Sequence, residues 1–176
     1  MDVFSEYLVK RQKSTRDKLA IAGFILLGLL FTAFVLIYLL PMVYYIMQPL
    51  VSIVFPVWAI AMWGVLILTK RYNIEFEYTL TGSDLDIDKI INRKKRKRVL
   101  STSVRRFDIV APVLSDKYTD EYKSLITVDC SKNADKASTY FAVYTKDNQK
   151  KCLIFDPSKK MLGMIKTFCP DKFFEA

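Results

Sequence analysis

The sequence predicts an α+β membrane protein, in which a helical transmembrane hairpin precedes a small β-rich domain that ends in one helix. Residues 19–69 contain no Asp, Glu, Lys or Arg, although 26% of the whole chain is charged. After residue 71 the apolar residues alternate with polar ones, as they do in half-buried strands. Near the C-terminus, the apolar spacing becomes helical again.

The uncharged segment is too long for one membrane crossing and fits two. An apolar helix needs ~20 residues to cross ~30 Å of hydrocarbon. Pro41, Gln48 and Pro49 interrupt the segment, and proline favours helix ends over interiors. We therefore expect helices over residues 19–40 and 50–69, joined by a short loop.

Positive charges flank the uncharged segment on both sides and are absent inside it. Lys70 and Arg71 follow it directly. The basic residues before it are Lys10, Arg11, Lys13, Arg16 and Lys18. Because Lys and Arg near membrane ends stay on the cytoplasmic side, both termini of this multi-pass cell-membrane protein should be cytoplasmic. A cleaved signal peptide is disfavoured, since the first run is too long and a second run follows.

Residues 1–18 form a tail with an amphipathic start. Val3, Phe4, Tyr7 and Leu8 would share one face of a helix. Two interpretations stay open: an interfacial helix on the inner leaflet, or an N-terminal extension of the first crossing.

Residues 70–176 should form one cytoplasmic domain with its own core. Seven strands are expected, over residues 72–80, 84–91, 99–100, 107–110, 125–130, 139–144 and 151–155. Residues 114–121 should form a surface loop. Asp156 can cap a helix that starts at Pro157 and carries an apolar stripe from Met161 to Cys169. This order favours a small antiparallel barrel plugged by a helix, and the alternative is an unrelated sheet with a helix on one face.

A run of six basic residues follows the second predicted strand of this domain. It comprises Arg93, Lys94, Lys95, Arg96, Lys97 and Arg98. Burying unpaired charges is costly, so the run should form an exposed turn. Together with Lys70 and Arg71, it is the candidate contact for anionic lipid headgroups or an unknown protein partner. The alternative is a solvated face without a partner.

The segment E-Y-T-L-T-G-S-D-L-D-I-D-K-I-I, from Glu77 to Ile91, follows two predicted crossings and precedes the basic run. In this arrangement the chain resembles the bacterial PH-like (bPH) domain membrane proteins, a small uncharacterised two-helix family of Gram-positive bacteria. The resemblance implies a PH-like seven-strand antiparallel barrel or sandwich with a C-terminal helix, and it implies no catalytic residue. Asp84, Asp86 and Asp88 depart from the family, which often has basic residues there.

The residue pattern disfavours an enzyme. The chain has no His, no G-x-S-x-G and no P-loop. Asp84, Asp86 and Asp88 share one strand face, but a solvated face is favoured over a metal site. The free thiols are too far apart in sequence for a zinc site or a disulfide framework, so no cofactor is expected. They belong to Cys130, Cys152 and Cys169.

The sequence therefore predicts a membrane-anchored, non-catalytic binding or scaffolding module whose first partner is the lipid bilayer. The alternatives are a membrane-tethered nucleic-acid or polyanion binder, or a subunit of a larger membrane complex. Specific nucleic-acid recognition is not expected, because no aromatic residues interrupt the basic run. Small residues in the crossings leave a homo-oligomer open.

Overall fold

The computed structural model describes residues 4–46, 48–132 and 138–175, and the chain divides into two compact units. The helical unit is Lys13–Asn73, and the β-rich unit combines the residues up to Gln12 with those from Ile74 onward. The helical unit is thus inserted between the first and second strands of the β-rich unit. Val3, which we placed on a helix face, lies outside the described residues.

The first half of the helical unit is one continuous helical stretch. It consists of α1 (Thr15–Phe34), a π-helical turn (Val35–Leu39) and α2 (Leu40–Ile46). The helix therefore continues through Pro41, where we expected it to end. Proline lacks an N–H group and its ring crowds the carbonyl four residues earlier, and the wider π-helical turn directly before it gives that ring room.

The second half of the helical unit begins with a 3₁₀ turn (Gln48–Leu50) and continues as α3 (Val51–Lys70). The stretches Thr15–Ile46 and Gln48–Lys70 are both long and apolar enough to cross a membrane. Gly28 is buried, and the Met62 side chain lies 3.5 Å from where a Cβ would stand. A small residue here allows the close packing of α1 against α3.

The β-rich unit contains two four-stranded sheets. Sheet A has the order β1-β2-β3-β4, and sheet B has the order β5-β7-β8-β6. The strands of the described residues are β1 (Phe4–Lys10), β2 (Ile74–Thr81), β3 (Asp84–Ile91), β4 (Lys95–Ser103), β5 (Phe107–Pro112), β6 (Ile126–Asp129), β7 (Tyr140–Lys146) and β8 (Gln149–Phe155). All neighbours are antiparallel except β6 and β8, which are parallel, so the expectation of an entirely antiparallel unit is wrong at this pair.

The N-terminal segment forms β1, whereas we expected an amphipathic helix. It pairs with β2 over its whole length, from Phe4 opposite Thr81 to Lys10 opposite Glu75. Val9 is buried in the core, while Leu8 is half-exposed. An isolated helix this short is only marginally stable in water. The free edge of β2 offers unpaired N–H and C=O groups, so pairing as a strand is favoured over forming a helix. The tail is therefore an integral strand of the β-rich unit.

The C-terminal helix α5 (Lys159–Phe168) packs on the core as expected, through Met161 and Ile165, both fully buried. Its N-cap is Ser158, whose hydroxyl accepts a hydrogen bond of 3.2 Å from the Met161 N–H. The cap is therefore not Asp156, which is buried instead. A short helix, α4 (Asp120–Lys123), lies at the end of the predicted 114–121 loop.

Candidate functional site: the basic end of sheet A

Four strand ends meet at one end of sheet A. The antiparallel pairs place Lys10 opposite Glu75, Ile74 opposite Ile91, and Ile91 opposite Lys95. The turn between β3 and β4 therefore lies at the end of the sheet where β1 ends and β2 begins. Both chain connections to the helical unit leave from this end, which we call the linked end of sheet A.

The basic run only begins in a turn. Asn92 and Arg93 have φ angles of 51° and 55°, in the left-handed region that a tight two-residue turn requires. The Lys94 N–H donates to the Ile91 carbonyl at 3.1 Å. The rest of the run, Lys95 to Arg98, lies in β4. The prediction of an exposed run is confirmed, but the expected turn covers only its first residues.

The alternation of side chains along β4 places the arginines on the outer face of sheet A, beside carboxylates. Arg96 lies 2.7 Å from the Glu77 carboxylate, and Arg98 lies 3.1 Å from that of Asp88. These contacts explain why the run tolerates a strand, since the neighbouring strands supply the opposite charges. We call this set the outer ion-pair cluster. Its members are Arg93, Arg96, Arg98, Glu75, Glu77, Asp86 and Asp88.

We expected Asp88 to lie on a solvated strand face, but within the outer ion-pair cluster it is buried. Asp88 and Glu77 are each only 8% exposed. Burial raises the pKa of Glu77, a hydrogen bond with Glu6 raises it further, and the Arg96 charge opposes both. The hydrogen bond with Asp88 raises the pKa of Arg98. The arginines thus stabilise carboxylates that the fold has removed from water.

The lysines of the same strand lie on the inner face. Lys97 stands opposite Lys89 on β3, and Lys95 stands opposite Ile91. None of the three lysines, Lys89, Lys95 and Lys97, forms an ion pair with any residue that the structure describes. The inner row that contains Lys89 continues through Phe76 to Val9, so the lysines border the apolar core.

Two further cations from elsewhere in the chain lie at the same end. The Arg11 N–H donates to the Ile74 carbonyl at 3.0 Å, and the buried Arg11 Nε has no hydrogen-bond partner among the residues that the structure describes. The Gln12 N–H donates to the Lys132 carbonyl, and the Lys132 Nζ lies 3.3 Å from the Tyr7 hydroxyl. We call the cations on this face that form no ion pair with a described residue the inner cation cluster. It comprises Arg11, Lys89, Lys95, Lys97 and Lys132.

Sequence reasoning found part of this site. Lys95 and Lys97 belong to the candidate set, but Arg11, Lys89 and Lys132 do not. The alternation in residues 84–91 could have placed Lys89 on the inner face, whereas nothing local connects Arg11 or Lys132 with it. Lys70 ends α3 in the helical unit, and the Arg71 N–H closes that helix on the Leu68 carbonyl at 3.2 Å.

Buried polar groups elsewhere in the β-rich unit are held by structural hydrogen bonds or kept neutral by burial. The Asp156 carboxylate accepts a bond of 2.6 Å from the Thr139 hydroxyl and another from the Lys132 N–H. Burial raises the pKa of the Cys130 thiol to about 12 and that of Cys152 to about 11. In the described ranges, no three Asp, Glu or Cys side chains are grouped to hold a metal ion.

A family model described as Bacterial PH-like domain (DUF6106) matches residues 1–175. The chain belongs to this bacterial PH-like family. The match covers the helical unit together with both sheets and α5. No curated protein and no solved structure matches the chain significantly.

Proposed function

We propose that this bacterial PH-like protein is a membrane-anchored, non-catalytic binding module. The helical unit spans the cell membrane twice, and the β-rich unit lies in the cytoplasm together with both termini. The linked end of sheet A contacts anionic lipid headgroups through the basic run. The observation that carries this proposal is the insertion of two apolar helices between paired strands, at the end of the sheet that also carries the basic run.

The exposure of the two helices supports a membrane anchor. In their most apolar windows, only 11% of the first stretch and none of the second is buried inside the protein. A core helix of a soluble protein would bury most of that surface. Lipid chains are the surroundings in which such exposed apolar side chains cost nothing.

The pairing of β1 with β2 supports two crossings with both ends on one side. Lys10 and Glu75 stand opposite each other in one sheet, although the helical unit separates them in sequence. Two strands can pair only in the same compartment, so the segment between them must cross the membrane an even number of times. The flanking Lys and Arg residues favour the cytoplasm as that compartment.

The state of the buried reactive groups supports a binding role over catalysis. The thiolate is the nucleophilic form of cysteine, and raised pKa values keep Cys130 and Cys152 as thiols at neutral pH. Tyr78 donates its hydroxyl proton to the Cys130 carbonyl, and Asp156 accepts bonds from its neighbours. These groups have structural partners and are enclosed in the core, where a substrate does not reach them.

The membrane contact is tested on the full chain in nanodiscs. Nanodiscs of phosphatidylcholine are compared with nanodiscs that also contain phosphatidylglycerol, and lysine acylation rates are read by mass spectrometry. We expect Lys94, at the tip of the turn, to react more slowly beside phosphatidylglycerol, and the protection to disappear at high salt. Lys146 and Lys150, exposed on the β7–β8 hairpin, are internal controls. Equal Lys94 rates in both nanodiscs would overturn the membrane contact, and extraction of the protein by carbonate would overturn the anchor.

A further inference from the structure

We propose that the inner cation cluster is a binding site for a phosphate group, carried by a lipid headgroup or by a small soluble molecule. The outer ion-pair cluster is structural and takes no part in binding this phosphate group. This inference specifies the ligand chemistry of the proposed binding module. It divides the basic run into two sets with different roles. The arginines stabilise the fold, and Lys95 and Lys97 bind the ligand.

The inner cation cluster lacks the charge compensation that the fold provides a few ångströms away, on the other face of the same strands. Like charges that stand directly opposite each other across a sheet are destabilising, and Lys89 faces Lys97 in this way. A buried guanidinium N–H without an acceptor adds a further cost, and this is the position of the Arg11 Nε. An anion bound among these groups would relieve both costs.

Two carboxylates near the Lys132 segment, Asp129 and Asp156, already have other partners. Asp129 accepts hydrogen bonds from the Ser131 N–H at 2.9 Å and from its hydroxyl at 2.7 Å. Asp156 accepts from Thr139 and from the Lys132 backbone. Neither carboxylate forms an ion pair with a cation in the part of the chain that the structure describes. An anion that compensates these charges would therefore come from outside these two carboxylates.

The side chains present suit a phosphate. A guanidinium offers directed N–H donors, and lysines add compact positive charges that need no fixed geometry. Lys89 lies in β3, and Lys95 and Lys97 lie in β4. Arg11 directly follows β1, and Lys132 comes from the segment after β6. A group with several acceptor oxygens can bind donors from all these directions, whereas one planar carboxylate reaches fewer of them.

The test uses the full chain in dodecyl maltoside micelles, which contain no phosphate. One arm adds inorganic phosphate and the other adds phosphatidylglycerol, and acylation of Lys89, Lys95 and Lys97 is followed by mass spectrometry. We expect protection of these lysines in at least one arm. In the Arg11→Gln/Lys89→Gln variant, at least about tenfold more ligand should be needed to protect Lys97, because losing even one charge-assisted hydrogen bond weakens binding by about that factor. Lys146→Gln/Lys150→Gln removes the same charge elsewhere and should change nothing.

The arms separate the two sources of the phosphate group. Protection by inorganic phosphate assigns a soluble ligand or a phosphomonoester, and protection by phosphatidylglycerol alone assigns a lipid headgroup. No protection in either arm overturns the site, as does equal loss in both double variants. Because Lys94 reports on the membrane contact and Lys89 on the inner site, failure of one is distinguishable from failure of the other. Hydrogen exchange of β2 verifies that each variant is folded.

Discussion

The Tyr78 hydroxyl donates a hydrogen bond of 2.6 Å to the backbone carbonyl of Cys130, which lies 52 residues away in sequence. The same oxygen accepts a bond of 3.4 Å from the Asp156 N–H. Tyr78 is fully buried, and burial raises its pKa far above the usual range, so the hydroxyl stays neutral and able to donate. One side chain of sheet A thus fixes two segments adjoining sheet B.

Tyr78→Phe should destabilise the β-rich unit without changing its fold. The substitution keeps the ring but leaves the buried Cys130 carbonyl without its donor, at a cost of about 1–3 kcal/mol. Hydrogen exchange of the core strands, followed by mass spectrometry in micelles, measures this loss. Tyr122→Phe serves as the control, because this partly buried ring makes no hydroxyl hydrogen bond with a residue that the structure describes. Equal exchange in both variants would show that the Tyr78 bond contributes nothing.

Removing the arginines of β4 and removing its lysines should have different effects on the stability of sheet A. Arg96→Gln/Arg98→Gln leaves Asp88 and Glu77 without their cations and should accelerate hydrogen exchange in β2 and β3. Lys95→Gln/Lys97→Gln removes the same net charge, breaks no ion pair and relieves repulsion with Lys89, so exchange should stay the same or slow down. If both variants lose protection equally, net charge rather than pairing governs stability here.

The docking of α5 can be tested at Ile165. Ile165→Asp places a charge in the core and should cost several kcal/mol, so the helix should detach and the unit should lose its cooperative unfolding. Thr167→Asp, two residues later on the exposed face, introduces the same charge. Limited proteolysis should cleave the first variant within α5 and leave the second intact. Resistance of Ile165→Asp to cleavage would contradict the packing seen for this helix.

The membrane topology can be tested with three variants, each of which adds one cysteine. Gln48→Cys lies between the two helical stretches and should react with an impermeant maleimide in intact cells. Gln12→Cys and Ser115→Cys, in the β-rich unit, should react only after lysis. The native cysteines contribute little background, because all are buried. Labelling of position 12 or 115 in intact cells, with no labelling at 48, would reverse the orientation.

Glu77 should make stability depend on pH in an unusual direction for a carboxylate. Its pKa in the folded protein is raised above the ordinary value of 4.5, so the native state binds its proton more tightly than the unfolded state. Its contribution is fully present below that value and is lost as the pH rises through the folded pKa. Relative to Glu77→Gln, the wild type should therefore lose stability from pH 4 to pH 7, measured by hydrogen exchange corrected for intrinsic rates. A relative gain over this range would contradict the burial effect.

Much of the β-rich unit could be predicted because its strands have local signals. The alternation around Tyr78 and the turn at Gly82 define β2 and β3, and the apolar spacing from Met161 defines α5. The partner of a strand is not a local property. Phe4, Tyr7 and Leu8 fit a helix face as well as they fit a strand, and only pairing with β2 decides between them.

The sequence predicts that the site is positively charged, but it does not predict which basic side chains form ion pairs. Six basic residues indicate an exposed cationic segment, yet the bulge in the β3–β4 pairing between Ile87 and Asp88 sets which of them face the carboxylates. The buried position of Asp88 depends on arginines that follow it by ten residues or fewer. The contribution of Arg11 depends on β1, which the sequence did not place in the sheet.

The insertion of the helical unit between adjacent strands also fixes how tension would act on the domain. Both connections leave sheet A from the pair formed by Lys10 and Glu75. A force that separates the two helical stretches from each other would pull on this pair first and break the β1–β2 hydrogen bonds one after another. Such sequential opening needs much less force than shearing the strands along their length. Under the proposed topology, the spacing of the two helices is thereby mechanically coupled to the integrity of sheet A.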